Sequence, residues 1–323
     1  MNRHILEVKH LKTYFPVKNG LFAKKTEYVK AVDDVSFCLG KGKTLGIVGE
    51  SGCGKTTMGR SLLRLIEPTS GSVKFLGEEI TALSRSKMRE FRGEMQIIFQ
   101  DPFSSLNPRI TVFDTLEEAL SIHLPGESRV ERTEHIHQLL DMVGLNISHA
   151  HRYPHEFSGG QRQRIGIARA ISVNPSLIIA DEPISALDVS IQAQILNLLQ
   201  DLQGQLGLTC IFVTHDLSAV KHISDRIGVM YLGSMVEQAD TDDLFSNPLH
   251  PYTKLLMSAV PIPDPTRKKE KIYLHGDVPN PADPPTGCSF HTRCNQCMDI
   301  CSSIKPQEVE VEPNHMVACH LYL

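Results

Sequence analysis

Residues 49–57, Gly49-Glu50-Ser51-Gly52-Cys53-Gly54-Lys55-Thr56-Thr57, constrain this chain more than any other stretch. They fit G-x-x-x-x-G-K-[ST], a loop that cradles phosphate groups. The flanks agree with that reading. Leu45-Gly46-Ile47-Val48 is a short apolar run that predicts a buried parallel strand. Met58, Leu62 and Leu65 then recur at i, i+4 and i+7, one face of a helix. Glycines let successive backbone N–H groups turn toward an anion. The helix that follows points its positive end at the same place. In such a loop Lys55 reaches the β- and γ-phosphates and the Thr56 hydroxyl ligates Mg²⁺.

The rest of the chain bounds the fold around that loop. Its 323 residues suffice for a buried core. A formal net charge of −4 gives no basic footprint for nucleic acid. No apolar run approaches the ~18 residues that a membrane span needs. The first residues, Met1-Asn2-Arg3-His4, lack the apolar centre of a signal peptide, so a cytosolic location is expected. Residues 5–37 alternate in short runs and predict antiparallel strands split by a basic loop, Lys18 to Lys25. Tyr14, Phe15 and Tyr28 precede the phosphate loop, where an aromatic ring can stack on a base; the sequence leaves the choice among them open. A further strand is expected over Val73 to Leu76, bracketed by Gly71 and Gly77.

Polar residues at the ends of the later strands carry the chemistry. Ile97-Ile98-Phe99 ends at Gln100, which suits holding a metal or an attacking water. Leu177 to Ala180 ends in Asp181, which suits the Mg²⁺ shell, and Glu182, which suits a general base. Cys210 to Val213 leads to Thr214 and His215, which is suited to a γ-phosphate contact. Between them, residues of about 102–170 read as an inserted helical subdomain, with Ile136, Leu139, Leu140 and Val143 at helical spacing. Ser158-Gly159-Gly160-Gln161 opens another helix with a serine cap and free N–H groups, a second anion site. One chain seldom needs two such sites so far apart, so the second is expected to serve nucleotide held by a partner subunit. Ile191, Ile195, Leu198 and Leu202 stripe a helix that packs on the core.

With these residues in hand, the sequence resembles the nucleotide-binding subunits of ABC transporters over roughly residues 5–245. The Walker A loop is 49–57, the Q-loop residue Gln100, and the signature Ser158-Gly159-Gly160-Gln161. Walker B is Leu177 to Asp181 with Glu182, the D-loop is Ser185 to Asp188, and the switch histidine is His215. Phe157 stands where many members have Leu, and it remains apolar. Gln100 to Arg109 and His250-Pro251-Tyr252-Thr253 look like the oligopeptide/dipeptide branch, nearest its F-type subunit. The resemblance implies an α/β P-loop ATPase core with an antiparallel β subdomain and an inserted helical subdomain, over residues 1–245. It also implies a C-terminal extension over 246–323, rich in Pro from Pro261 to Pro285 and basic at Lys268 to Lys271, expected to be extended.

The same resemblance implies ATP hydrolysis coupled to peptide import at the cytoplasmic face of the membrane. Implied partners are a second, related ATPase chain as a heterodimer, two transmembrane permeases and an extracytoplasmic solute-binding protein, but no nucleic acid. The permease contact is expected within Phe103 to Leu116. Cargo such as nickel or a glycoside is an alternative that this chain alone does not exclude. A soluble ABC ATPase acting on DNA or ribosomes fits worse, because the interval from Lys55 to Asp181 leaves no room for a long coiled coil.

Five cysteines crowd the tail: Cys288, Cys294, Cys297, Cys301 and Cys319. Disulfides do not suit a cytosolic chain, and thiolates at this density suit an iron–sulfur cluster or zinc. The spacing fits paired zinc ligands poorly. In the peptide-importer branch a C-x5-C-x6-C tail with a distant fourth Cys implies a [4Fe-4S] cluster. Here that maps to Cys288, Cys294, Cys301 and Cys319, with Cys297 spare.

Overall fold

In the computed structural model, residues 4–17, 27–259 and 277–323 are described. The basic loop at Lys18 to Lys25 and the Lys268 to Lys271 patch lie outside them. Alternating N-terminal residues form β1 (His4–Val17) and β2 (Glu27–Gly40). The phosphate loop runs between β3 (Thr44–Val48) and α1 (Lys55–Leu62). Then come β4 (Ser70–Phe75), β5 (Glu78–Glu79), α2 (Arg85–Glu94) and β6 (Met95–Ile98). Helices dominate next: α3 (Pro102–Ser105), α4 (Val112–His123), α5 (Arg129–Met142) and α6 (Gly159–Ile171). Strands and helices alternate again through β7 (Leu177–Asp181), α7 (Val189–Leu206), β8 (Thr209–Val213) and α8 (Leu217–Ile223). The chain continues through β9 (Arg226–Tyr231), β10 (Ser234–Asp240), α9 (Thr241–Ser246) and α10 (Pro251–Ala259), and its last strands are β11 (Val309–Glu312) and β12 (His315–Val317).

Two compact units emerge, each drawn from separate stretches of the chain. One holds Met1–Leu39, Thr44–Thr81 and Thr214–Leu323; the other holds Gly40–Lys43 and Ala82–Val213. In the first unit an antiparallel sheet runs β2-β1-β4-β5, with Leu6 opposite Phe75 and Val8 opposite Val73. Its inward face buries Leu6, Val8, Leu11, Val73 and Phe75. A second run in this unit is β11-β12-β10-β9-β3. There β3 and β9 are parallel, and every residue of β3 is buried, as strands covered on both faces require.

In the second unit β8, β7 and β6 are parallel neighbours, and β7 and β8 are buried throughout. The helices of residues 102–171 bury the predicted Ile136, Leu139, Leu140 and Val143. Two apolar stripes differ from expectation. Leu65 lies beyond the end of α1 and is exposed. On α7 the buried residues are Ile195, Leu196, Leu199 and Leu202, so Leu196 and Leu199 replace Ile191 and Leu198.

The expectation of an extended C-terminal extension is corrected over residues 277–323. Here β12 pairs with β10, Glu237 opposite Val317 and Gln238 opposite Met316, and β11 pairs with β12. Val317 and Cys319 pack on Leu249, with Val309 and Tyr322 against them. The strands lie beyond the proline-rich stretch and, at four and three residues, are too short for a two-residue period to show. One buried carboxylate ties the pieces together. Glu237 on β10 accepts from the N–H groups of Leu249 and His250, at 2.7 and 2.9 Å, and bonds His315 of β12 at 2.8 Å.

Candidate nucleotide site

The phosphate loop of the first unit is preformed. Gly54 caps α1 with φ at +103°, and a Cβ there would lie 1.9 Å from the Ala31 carbonyl oxygen. Only glycine fits both demands. The carbonyl of Gly54 accepts from Met58 N–H at 2.9 Å, and the turn closes through Cys53 N–H to the Glu50 carbonyl at 3.3 Å. Lys55 is 4% exposed, and its Nζ donates to the carbonyls of Gly49 and Glu50 at 2.7 and 3.0 Å. The ammonium therefore sits across the mouth of the loop. Cys53 is buried against it, and burial pushes the thiol pKa up. Thr56 and Thr57 occupy the first turn of α1, where a hydroxyl can meet a cation beside the phosphates. Ser51 and Gly52 form the exposed tip.

His215 is exposed in the same unit, just before α8. Two anchors hold that segment: Thr214 N–H donates to the Ile47 carbonyl of β3 at 3.0 Å, and Asp216 caps α8 by accepting from Ser218 and Ala219 N–H. Among the three aromatics, Tyr14 donates its hydroxyl to Asp33 at 2.5 Å and has Lys30 over its ring. Phe15 and Tyr28 are exposed.

In the second unit, β7 carries Asp181, 1% exposed, at its carboxyl end. Glu182 follows with φ at +46° and donates its N–H to the Val213 carbonyl at 2.9 Å. A left-handed residue turns its side chain out of the strand direction. That carboxylate accepts from Gln100 Nε2 at 3.0 Å, so the structure brings together two residues separated by 82 positions that sequence reasoning singled out independently. Ser185 donates to the Glu182 carbonyl at 3.1 Å, and Gln192 donates to the carbonyls of Ile184 and Leu187. The D-loop is thereby pinned to the start of α7.

The start of α6 is a capping box: Gln161 N–H donates to Ser158 Oγ at 3.4 Å, and Ser158 N–H to Gln161 Oε1 at 3.0 Å. Gly159 and Gly160 follow; a Cβ on Gly160 would lie 2.5 Å from Ile191 of α7. Gly160 thus serves close packing of α6 on α7. Sequence reasoning missed a link from this helix to the Q-loop. Arg162 lies 3.9 Å above the Phe103 ring, and Arg169 donates to the Ser105 carbonyl at 2.6 Å. The Phe-Ser-Ser stretch after Gln100 is therefore held by α6, with Phe103 itself exposed.

The tail thiols influence one another. Burial first, and then the fields of Cys301, Cys319 and Cys294, push the Cys288 thiol up to about 11. Cys294 and Cys319 are shifted upward in the same way. Cys301 and Cys319 are buried and Cys297 is exposed. Among the described residues no group of three or more His, Cys, Asp or Glu side chains is arranged to hold a metal ion, so neither the iron–sulfur cluster nor zinc gains support from the geometry. A cavity of about 450 Å³, lined in part by Asp33, Asp34, Glu308, Lys305, His250 and Cys288, includes no residue of the phosphate loop.

Comparison with known proteins identifies the family. Residues 32–185 match the ABC transporter family, and residues 236–301 match the oligopeptide/dipeptide transporter C-terminal region. The Bacillus subtilis oligopeptide transport ATP-binding protein AppF is 56% identical over 98% of this chain and 97% of its own length. OppF of the same organism, also an oligopeptide transport ATP-binding protein, is 59% identical over 84% of this chain and 87% of its own. Among solved structures, the dimeric MJ0796 ATP-binding cassette in a post-hydrolysis state with ADP and Pi has a TM-score of 0.65 at 28% identity, covering 73% of this chain and 98% of that one. Cassette cbiO1 from Clostridium perfringens, part of the cbiONQ transporter complex, also has a TM-score of 0.65, at 27% identity over 76% and 92% of the two chains. The chain belongs to the ATP-binding subunits of ABC transporters, in the oligopeptide/dipeptide branch.

Proposed function

We propose that the chain hydrolyses Mg-ATP to drive import of peptides, as an ATPase subunit lying peripherally on the cytoplasmic face of the membrane. The observation that carries this reading is a preformed phosphate loop in a chain that also matches the oligopeptide/dipeptide C-terminal region over residues 236–301. No helix among the described residues is long and apolar enough to cross a membrane, which agrees with separate permease subunits. The nucleotide-binding domain is residues 1–245 and the branch-specific extension 246–323. In our reading the N–H groups and Lys55 of residues 49–57 hold the β- and γ-phosphates. Thr56, Asp181 and Gln100 hold Mg²⁺, Glu182 takes the proton of the attacking water, and His215 meets the γ-phosphate. Ser158 to Gln161 face nucleotide on a second, related ATPase chain. Two permeases dock at residues 103–116, and an extracytoplasmic binding protein delivers the peptide. The peptide-transport relatives disfavour nickel or glycoside cargo. The test is ATP-dependent uptake of labelled di- to pentapeptides into vesicles bearing the assembled transporter. Uptake lost with Lys55→Ala supports the reading; nickel or glycoside uptake without peptide uptake refutes the cargo.

We also propose that Cys288, Cys294, Cys301 and Cys319 take up a [4Fe-4S] cluster of structural role. The C-x5-C-x6-C spacing with a distant fourth Cys, which resembles that of the branch, supports this. Anaerobic purification with iron, sulfide and zinc analysis tests it; absence of all three sinks the idea.

A further inference from the structure

The phosphate loop contains an acid, Glu50, where the ligand is polyanionic. A free carboxylate there opposes the phosphates. Its disposal is visible in the first unit. Arg293, three residues after Phe290 in a short turn and adjacent to Cys294, grips Glu50 with both terminal nitrogens, at 2.8 and 3.1 Å. The Arg293 side chain is 4% exposed and that of Glu50 24%. This fork-on-carboxylate geometry fixes direction as well as charge. Arg293 also donates to the Tyr231 hydroxyl at 3.4 Å. A second tail residue holds the backbone of the same position: Glu50 N–H donates to the Tyr252 hydroxyl at 2.9 Å. Tyr252 is fully buried. Its ring meets Tyr231 at 4.7 Å and Phe290 at 5.4 Å, and Phe290 meets Tyr231 edge-on at 5.3 Å. These rings form a rigid wall behind the loop, built from the end of β9, from α10 and from the cysteine-rich segment.

We propose that Arg293 and Tyr252 are positioning residues for ATP binding, through which the C-terminal extension sets the shape and charge of the phosphate loop. The inference rests on residues 49–57 being the nucleotide site. Arg293 neutralises Glu50 and draws its side chain away from the phosphates. Tyr252 takes up one loop N–H, that of Glu50, and so fixes the backbone from which its carboxylate projects. Neither residue touches the reacting atoms, so their loss weakens binding of ATP more than its cleavage.

The test is steady-state ATPase kinetics of the assembled transporter. Arg293→Ala is expected to raise KM for ATP about tenfold, the loss of one charge-assisted pair, with kcat changed less than about twofold. Glu50→Gln added to Arg293→Ala is expected to recover most of the affinity, because the unpaired carboxylate is gone. A merely structural arginine gives no such recovery. Tyr252→Phe keeps the ring wall, removes only the hydroxyl and is expected to raise KM about threefold; it carries the test if Arg293→Ala does not fold. An Arg293→Ala KM within twofold of wild type, a double variant no better than the single, or an unchanged Tyr252→Phe KM overturns the proposal. Lys55→Ala, run alongside for ATP binding, separates the two readings. If it binds ATP normally, the loop assignment fails and the proposal with it; if it does not, a negative result falls on Arg293 and Tyr252 alone.

Discussion

Glu182 sits at the end of a buried strand, in a left-handed conformation, with its carboxylate on Gln100. Such a conformation costs of order 1 kcal/mol for a residue with a side chain, and it aims the acid away from the strand. Glu182→Gln preserves the shape and hydrogen-bonding capacity while removing the base. Turnover of the assembled transporter is expected to fall by about 10²–10⁴, with ATP affinity within about threefold of wild type. Wild-type hydrolysis by this variant removes Glu182 from the mechanism. Most residues of this kind were legible in the sequence because a polar side chain following an apolar run has few structural uses. Arg293 was not. Its partner lies 243 residues away, and nothing local distinguishes it from any other arginine in a loop.

At the scale of elements, the strands and helices that repeat a period were readable, while those that depend on distant pairing were not. α5 declared itself by its apolar spacing. β12 is three residues long and exists because β10 offers it an edge, a contact no window of sequence contains. α10 begins in a way that invites an experiment. His250 is 1% exposed, and its Nδ1 accepts from Tyr252 N–H at 3.0 Å, capping the helix. Burial, the largest influence, lowers its pKa to about 4; Glu237 opposes that shift and Lys254 reinforces it. The unfolded chain therefore binds this proton at higher pH than the folded one. Stability is fully present above the unfolded value, ~6.5, and is lost as pH falls toward about 4. His250→Asn retains an acceptor for the cap and cannot titrate. Its urea-unfolding midpoint is expected to vary less between pH 6.5 and 4 than that of wild type; an equal slope assigns the acid sensitivity elsewhere.

For the molecule as a whole, the capped start of α6 is the feature on which our proposed shared site rests. Ser158 is exposed at the opening of a thirteen-residue helix, where its hydroxyl accepts from the Gln161 N–H. The isolated protein is expected to hydrolyse ATP slowly and to accelerate at least tenfold on assembly. Ser158→Arg is expected to abolish that gain while leaving the slow basal rate within about twofold, measured by mixing variant and wild-type subunits; an isolated chain at full speed and indifferent to Ser158→Arg contradicts shared sites. The tail adds a consequence in time. Domains emerge from the ribosome N-terminal end first, and contacts between distant residues form slowly. The loop at residue 50 is made early, yet its clamp at residue 293 arrives 243 residues later. Until then a nascent chain carries a phosphate loop with an unneutralised acid, so on our proposal competence for nucleotide waits for residue 293. Chains truncated before Arg293 are expected to bind ATP weakly, as a nucleotide-binding assay on such fragments would show.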